Sequence, residues 1–410
     1  MLTNMLIGQS GGPTVAINAS LAGAIKRAMK HPEIQQIYGA LNGLEGVVKE
    51  KIIDLRKDLH SVEDFDKLES TPAMALGSCR FKLADEPDAV YKKIREVFLK
   101  YSIGYFFYIG GNDSMDTLKK LSNYFKAMGD DIKCVGIPKT IDNDLACTDH
   151  TPGFGSAAKY IATSIAEIAC DSVVYNMKSV TIVEIMGRNA GWLTAASVLA
   201  RREGCAAPHL IYLPEVSFEP EAFLQKLKEL AKTTRNIIVA VSEGVRLPNG
   251  NYVATAKSGS VDAFGHRYLA GVGAFLQELV RTRIGCKVRA VELNVLQRSA
   301  AHLYSGVDLG EACRIGAEAV SSAVRGNTGV MAVFNRVSSH PYLVNYGVSD
   351  IENVANLEKT VPREWISDDG CDVTAEMIEY LRPLVQGETK EFTKYGIPVF
   401  FAFDKTLVKL

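Results

Sequence analysis

Tyr105-Phe106-Phe107-Tyr108-Ile109-Gly110-Gly111-Asn112-Asp113-Ser114 is an apolar run that stops at a glycine pair and passes into polar residues. A helical pattern begins at about Met115. The same unit recurs along the chain. Met5-Leu6-Ile7 leads into Gly8-Gln9-Ser10-Gly11-Gly12, with a small-residue helix from near Ala16. The run 134–137 leads into Pro138-Lys139-Thr140-Ile141-Asp142-Asn143-Asp144. The run 180–185 leads into Gly187-Arg188-Asn189-Ala190-Gly191 and a helical stretch to Leu199, and 237–241 leads into Ser242-Glu243-Gly244. Fully apolar strands alternating with helices predict an α/β protein with parallel sheets covered on both faces. In such sheets ligands bind beyond the carboxyl ends of the strands, where these loops fall. Any one glycine loop can be only a tight turn. Their recurrence after successive strands marks a ligand site.

Bulk properties narrow the class. The chain has 410 residues, 47% hydrophobic and 23% charged, as expected for folded domains rather than disorder. A net charge of −1, without a basic stripe, excludes a nucleic-acid binder. No stretch approaches the ~20 apolar residues of a membrane helix, and no secretory signal opens the chain. The eight cysteines are scattered without a C-x-x-C pair, which reads as reduced, cytoplasmic cysteine. The seven histidines are isolated, so a metal should have oxygen ligands, which suits Mg2+. The mixed-charge run 49–57 is expected to be a solvated helix face.

Three loops can carry chemistry. Gly11 and Gly12 let the backbone approach a phosphate at the positive end of a helix. No Walker A lysine follows. After Gly110-Gly111, Asp113 or Ser114 can cap the next helix, or serve magnesium or phosphate. In 138–144 two aspartates stand beside a lysine and a threonine. Phosphoryl transfer needs a base at the accepting hydroxyl, a divalent cation and positive charge for the transferring oxygens. Asp142 and Asp144 can divide the first two tasks, and Lys139 supplies the third. The alternative is an Asp-Asn-Asp turn with an exposed lysine.

These residues, with Gly77-Ser78-Cys79-Arg80-Phe81, Met186-Gly187-Arg188, Pro214-Glu215-Val216 and Gln297-Arg298, resemble the phosphofructokinase family in order and spacing over roughly residues 1–345. The resemblance implies two doubly wound, Rossmann-like domains with parallel sheets. A phosphoryl-donor domain would span 1–153 plus about 297–345, and a sugar-phosphate domain 154–296. An extension, about 346–410, would pack on the second domain. It also implies transfer of a phosphoryl group to the C1 hydroxyl of fructose 6-phosphate with Mg2+. Asp142 resembles the base, and Thr140 and Asp144 resemble sugar-side or magnesium-side contacts. Met186, Gly187 and Arg188 resemble the loop that holds the sugar and steadies transition-state charge. Glu215 resembles a ligand of the sugar hydroxyls, and Arg289 and Arg298 resemble the arginines on the 6-phosphate, whose planar fork grips phosphate oxygens in pairs. Gly11, Gly12, Arg80, Lys82, Asp113, Ser114 and Lys139 are implied for the donor, and Asn112, Asp113 and Asp144 for the metal. Some basic residues of the family reach across a subunit interface, so a homodimer or homotetramer is expected.

Two positions bear on the donor. ATP-dependent relatives have glycine where this chain has Asp113 and Lys139, and pyrophosphate-dependent ones resemble this chain at both. An aspartate and a long lysine fill the space of a nucleotide's α-phosphate and ribose. Pyrophosphate brings no adenosine as a source of remote binding energy, so direct charge contacts count for more. The expected donor is pyrophosphate, in a reaction usable in both directions. An ATP-dependent kinase, a catalytically silent sugar-phosphate-binding subunit and a seven-carbon sugar phosphate as substrate are the alternatives. The chain departs from the family at Asn112, where aspartate is usual, at Val295, where ATP users have histidine, and at Ser179, where bacterial ATP users have arginine. Lys178, or His302 and Tyr304, are the candidates to replace the missing basic groups. Phe264-Gly265-His266 reads as a packed turn.

Overall fold

Each of the apolar runs is a buried strand in the computed structural model, which describes residues 2–174, 176–253 and 271–409. The strands of its two large sheets are, in chain order, β1 Asn4–Gln9, β2 Ile37–Ala40, β3 Ile52–Asp54, β4 Ile103–Gly110, β5 Lys133–Pro138, β6 Ser179–Ile185, β7 Leu210–Tyr212, β8 Asn236–Ser242, β9 Lys287–Glu292, β10 Val330–Ser339 and β11 Tyr342–Asp350. The first sheet has the order β11-β10-β5-β4-β1-β2-β3, and the second β7-β8-β6-β9. The second is parallel throughout. In the first, only the edge strands β3 and β11 run antiparallel to their neighbours.

Side chains alternate across the first sheet, as a two-residue period requires. Phe107 and Ile109 of β4 join one apolar cluster, while Phe106 and Tyr108 join another on the opposite face. Helices Ile17–Ala28 and Gly306–Val324 cover the first face. They touch backbone to backbone, since a Cβ on Gly316 would stand 2.0 Å from the Ser20 carbonyl oxygen. Helices Ala89–Lys100 and Asn112–Ala127 cover the second. Helix Phe154–Ser172 and Trp192 belong to a separate core under the second sheet.

Two expectations change. The run 49–57 is not a helix face. Its adjacent isoleucines, Ile52 and Ile53, are fully buried in the edge strand β3, and the flanking charges guard that edge. The C-terminal residues do not pack on the second domain alone. Strand β11 extends the first sheet, and Ile351, Val354 and Ala355 enter the core beneath it. Val361, Trp365, Met377 and Tyr380 then pack with Trp192 of the second domain. The chain finally returns to the first: Phe403 enters its core, and the Val408 N–H donates to the Ile52 carbonyl at 2.8 Å, covering the open edge of β3. Phe264-Gly265-His266 lies outside the described residues. No helix among the described residues is long and apolar enough to cross a membrane.

Candidate active site

The carboxyl ends of β1, β4, β5, β6 and β8 open on a cleft made of two adjoining cavities of about 520 and 700 Å3. Gly12, Lys139, Asp142, Arg188, Glu243 and Arg298 line both and so mark their junction. The larger cavity continues over Gly11, Gly111, Asn112, Asp113, Ser114 and Asp144. The smaller continues over Met186, Glu184, Glu292 and Asn294.

Lys139 is 2% exposed, which removes the exposed-lysine alternative. Its backbone N–H donates to the Gly110 carbonyl at 3.0 Å, and its Nζ donates to the Gly12 carbonyl at 2.7 Å. The side chain thus ties together the loops after β1, β4 and β5. Burial pulls its pKa down to about 8, against the opposing pull of Asp142 and Asp144. Gly11 has φ +80°, and a Cβ there would meet the lysine Nζ at 3.0 Å, so glycine suits that position.

The aspartate turn is held from behind. The Thr140 hydroxyl accepts from the Asp142 N–H at 3.1 Å, and the Thr140 carbonyl accepts from Thr151 Oγ1 at 2.8 Å. Asn143 takes a left-handed φ of 55°, a conformation asparagine tolerates. Its amide is fully buried and donates to the Tyr380 hydroxyl at 2.8 Å. With Asn143 turned inward, Asp142 and Asp144 both face the larger cavity. Both carboxyls are raised by burial. Glu243 raises Asp142 further, and Asp142 does the same to Asp144. Burial pushes Glu243 up to about 7. A base poised near neutrality is what proton transfer from a hydroxyl requires.

The Nε atoms of Arg188 and Arg298 are buried without a hydrogen-bond partner. A buried unpaired donor costs about 1–3 kcal/mol, so two guanidinium edges meeting in one cleft are prepared for an anion. Among the described residues no three His, Cys, Asp or Glu side chains gather closely enough to hold a metal by themselves. The oxygen donors Asp113 and Asp144 still fit magnesium, which characteristically takes one or two carboxylates and completes its shell with substrate phosphates and water.

Not every residue read from the sequence lies in the cleft. Gly11, Gly12, Arg80, Asp113, Ser114, Lys139 and Asp144 do, as do Thr140, Asp142, Met186, Arg188 and Arg298. Gly187 lies beneath it, its carbonyl accepting from the Ser242 hydroxyl. The N-cap of helix Asn112–Ala127 is Gly111, so Asp113 and Ser114 stand in its first turn and not at the cap position. Asn112 lines the larger cavity, but both atoms of its amide are engaged by the backbone of residues 356 and 357. Lys82 is exposed and outside the lining. Glu215 is also outside: its Oε1 accepts the N–H groups of Gly191 at 2.8 Å and Val361 at 2.9 Å, a bracing role. Arg289 pairs with Asp171 at 3.2 Å beside Ser179, away from the cleft. Lys178 lines a different surface cavity, and His302 and Tyr304 line neither half of the cleft.

Glu243, Glu184 and residues 356–358 were not anticipated. Glu243 had a signal, since it follows a buried strand in a Ser-Glu-Gly loop of the recurring kind. Glu184 is the lone charge near the end of the apolar strand β6, where it accepts the Gly273 N–H at 2.7 Å. Residues 356–358 had none, because they reach the cleft from a segment remote in sequence.

Comparison with known proteins identifies the family. The family model described as phosphofructokinase matches residues 4–323. A pyrophosphate–fructose 6-phosphate 1-phosphotransferase of Halomonas elongata is 40% identical over 400 residues, covering 96% of this chain and 94% of that protein. One of the same name from Xanthomonas campestris is 40% identical, covering 99% and 97%. The solved structure of a pyrophosphate-dependent phosphofructokinase from Nitrosospira multiformis superposes with a TM-score of 0.91 at 37% identity, covering 100% of this chain and 98% of that one. The chain belongs to the phosphofructokinase family.

Proposed function

We propose that this chain catalyses reversible phosphoryl transfer from pyrophosphate to the C1 hydroxyl of fructose 6-phosphate, with the donor in the larger cavity and the sugar in the smaller. The observation that carries the reading is the junction of the two cavities, where the Asp142 carboxylate and the buried Lys139 cation stand side by side. Asp142 takes the proton of the C1 hydroxyl. That oxygen bonds to the donor phosphorus, the bridging P–O bond breaks, and inorganic phosphate leaves. In the reverse direction Asp142 returns the proton. Lys139 and Arg188 balance charge on the transferring oxygens, and Arg298 lies where the two substrates meet. Glu243 accepts sugar hydroxyls, the task first assigned to Glu215. Asp113 and Asp144 would hold magnesium brought in with the donor, which supplies positive charge to the phosphate oxygens. The engaged amide of Asn112 takes no part in this.

Arg289 does not reach its own cleft, and its place at the surface supports a homo-oligomer in which it serves the 6-phosphate of a second copy. All eight cysteines are unpaired, which supports a reducing, cytoplasmic setting. Donor comparison with magnesium and fructose 6-phosphate tests the reading. Pyrophosphate should support turnover and ATP should not. Asp142→Ala should lower kcat by about 10²–10⁴-fold with little change in sugar KM. Equal turnover with ATP, or near-normal turnover of the variant, would overturn it.

A further inference from the structure

The donor cavity has one wall that comes from far along the chain. Asn356, Leu357 and Glu358 line it and are themselves exposed, so they form its solvent-side wall, whereas Lys139 of the same lining is buried. The segment is anchored at both ends. Before it, Ile351, Val354 and Ala355 are buried against the core of the first domain. After it, the Lys359 N–H donates to the Asp144 carbonyl at 2.7 Å, and Lys359 Nζ donates to the carbonyls of Thr148 and Asp149 at 3.1 and 2.7 Å. The Lys359 carbonyl accepts from Trp192 Nε1 at 2.9 Å. Between these anchors the segment crosses from one domain to the other.

Its middle is held by a side-chain clamp. Asn112 Oδ1 accepts the Asn356 N–H at 2.5 Å, and Asn112 Nδ2 donates to the Leu357 carbonyl at 2.7 Å. Asn356 adds a second tie, its Nδ2 donating to Asp116 at 3.0 Å. On the far side Asn189 Nδ2 donates to Glu358 at 2.8 Å. The clamp at position 112 needs an acceptor and a donor on one short side chain. Asparagine supplies both. Aspartate, of the same shape, would lose the donor and set a negative charge against the Leu357 carbonyl.

We propose that residues 356–359 form a strap, locked by Asn112, that closes the outer wall of the donor cavity and confines the donor to short inorganic phosphates by excluding a nucleotide's nucleoside. The proposal rests on the larger cavity being the donor site. It adds a steric determinant, separate from the side chains of Asp113 and Lys139, whose lock lies some 245 residues from the strap it holds.

The test uses adenylyl imidodiphosphate, a non-transferring nucleotide, as a competitor against pyrophosphate, with hydrogen exchange over residues 351–361 as the second readout. Asn112→Asp keeps the shape but breaks the clamp, and Asn112→Ala breaks it without adding charge. Loss of two hydrogen bonds should raise strap opening by about tenfold or more in both variants. Exchange across the strap should speed up accordingly, while the strands of the first sheet keep wild-type protection. Inhibition by the nucleotide, negligible in wild type, should strengthen by about the same factor. Faster exchange without stronger inhibition would show that the strap does not gate the donor. Unchanged exchange in both variants would show that Asn112 does not lock it. Failure of the proposed reaction itself would look different, because wild type would then fail to turn over pyrophosphate.

Discussion

The two halves of the cleft are built on different plans. The donor half is lined by the loops after β1, β4 and β5, by residues 356–358, and by Arg188, Asn189 and Arg298. Its cation, Lys139, is buried and already bonded. The sugar half is walled by carboxylates, Glu184, Glu243 and Glu292, and its cations, Arg80, Lys139, Arg188 and Arg298, all lie at the junction with the donor half. Arg289, the further arginine implied for the 6-phosphate, sits on the outer part of β9 beside Asp171. A small donor without an adenosine handle must be gripped by fixed charge and excluded water. A sugar phosphate offers many hydroxyls, so carboxylates suit one end of it, and its phosphate needs cations, which this half holds only at its junction with the donor half.

Arg298 is where the contrast should break most sharply, since it lines both halves. A charge-assisted hydrogen bond contributes about 1.5–3 kcal/mol, so Arg298→Ala should reduce kcat/KM by roughly 10–150-fold for both substrates. Steady-state kinetics with each substrate varied in turn would detect a one-sided loss, and that outcome would confine Arg298 to one half. Lys139 also lines both halves, but its Nζ is tied to the Gly12 carbonyl of the donor-side loop, so Lys139→Met should weigh most on the donor, raising the KM for pyrophosphate about tenfold or more and the sugar KM by less. The pH dependence has a definite sign. Lys139 is charged below its pKa of about 8 and neutral above it, so pyrophosphate affinity in wild type should fall as pH rises through that value. The variant should lose this limb.

Much of this was legible in the sequence because it is local. Strand, glycine loop and helix follow one another within some twenty residues, and the Lys139–Asp144 turn carries the proposed base and cation three positions apart. What escaped reading arises from distance in the chain. Glu215 and Glu243 both follow short apolar runs in second-domain loops. Only the fold shows that Glu215 lies outside the cleft with its Oε1 bonded to the N–H groups of Gly191 and Val361, while Glu243 opens on the cleft. Asn112 is a further case. As a residue type it is a passable metal ligand, and only the return of the C-terminal segment shows both atoms of its amide engaged. The run 49–57 misled for a physical reason: its charges suggest a solvated helix, whereas they flank a buried isoleucine pair in an edge strand.

Arg289 gives the smallest expected effect and the most direct test of the contrast. It is half exposed and paired with Asp171, so its removal should leave fold and donor kinetics unchanged. If a second copy of this chain brings it to the sugar half, Arg289→Ala should raise the KM for fructose 6-phosphate several-fold without changing that for pyrophosphate. A mixing experiment separates this from a local role. Asp142→Ala supplies Arg289 but no base, and Arg289→Ala supplies the base but no arginine. Subunits exchanged between the two should form some sites with both groups, and the sugar KM of the mixture should move back toward wild type. A KM that stays at the Arg289→Ala value, despite exchange verified by mass measurement, would mean that each chain completes its own sugar half. The acid-lined cavity would then hold the 6-phosphate with the cations at its junction alone.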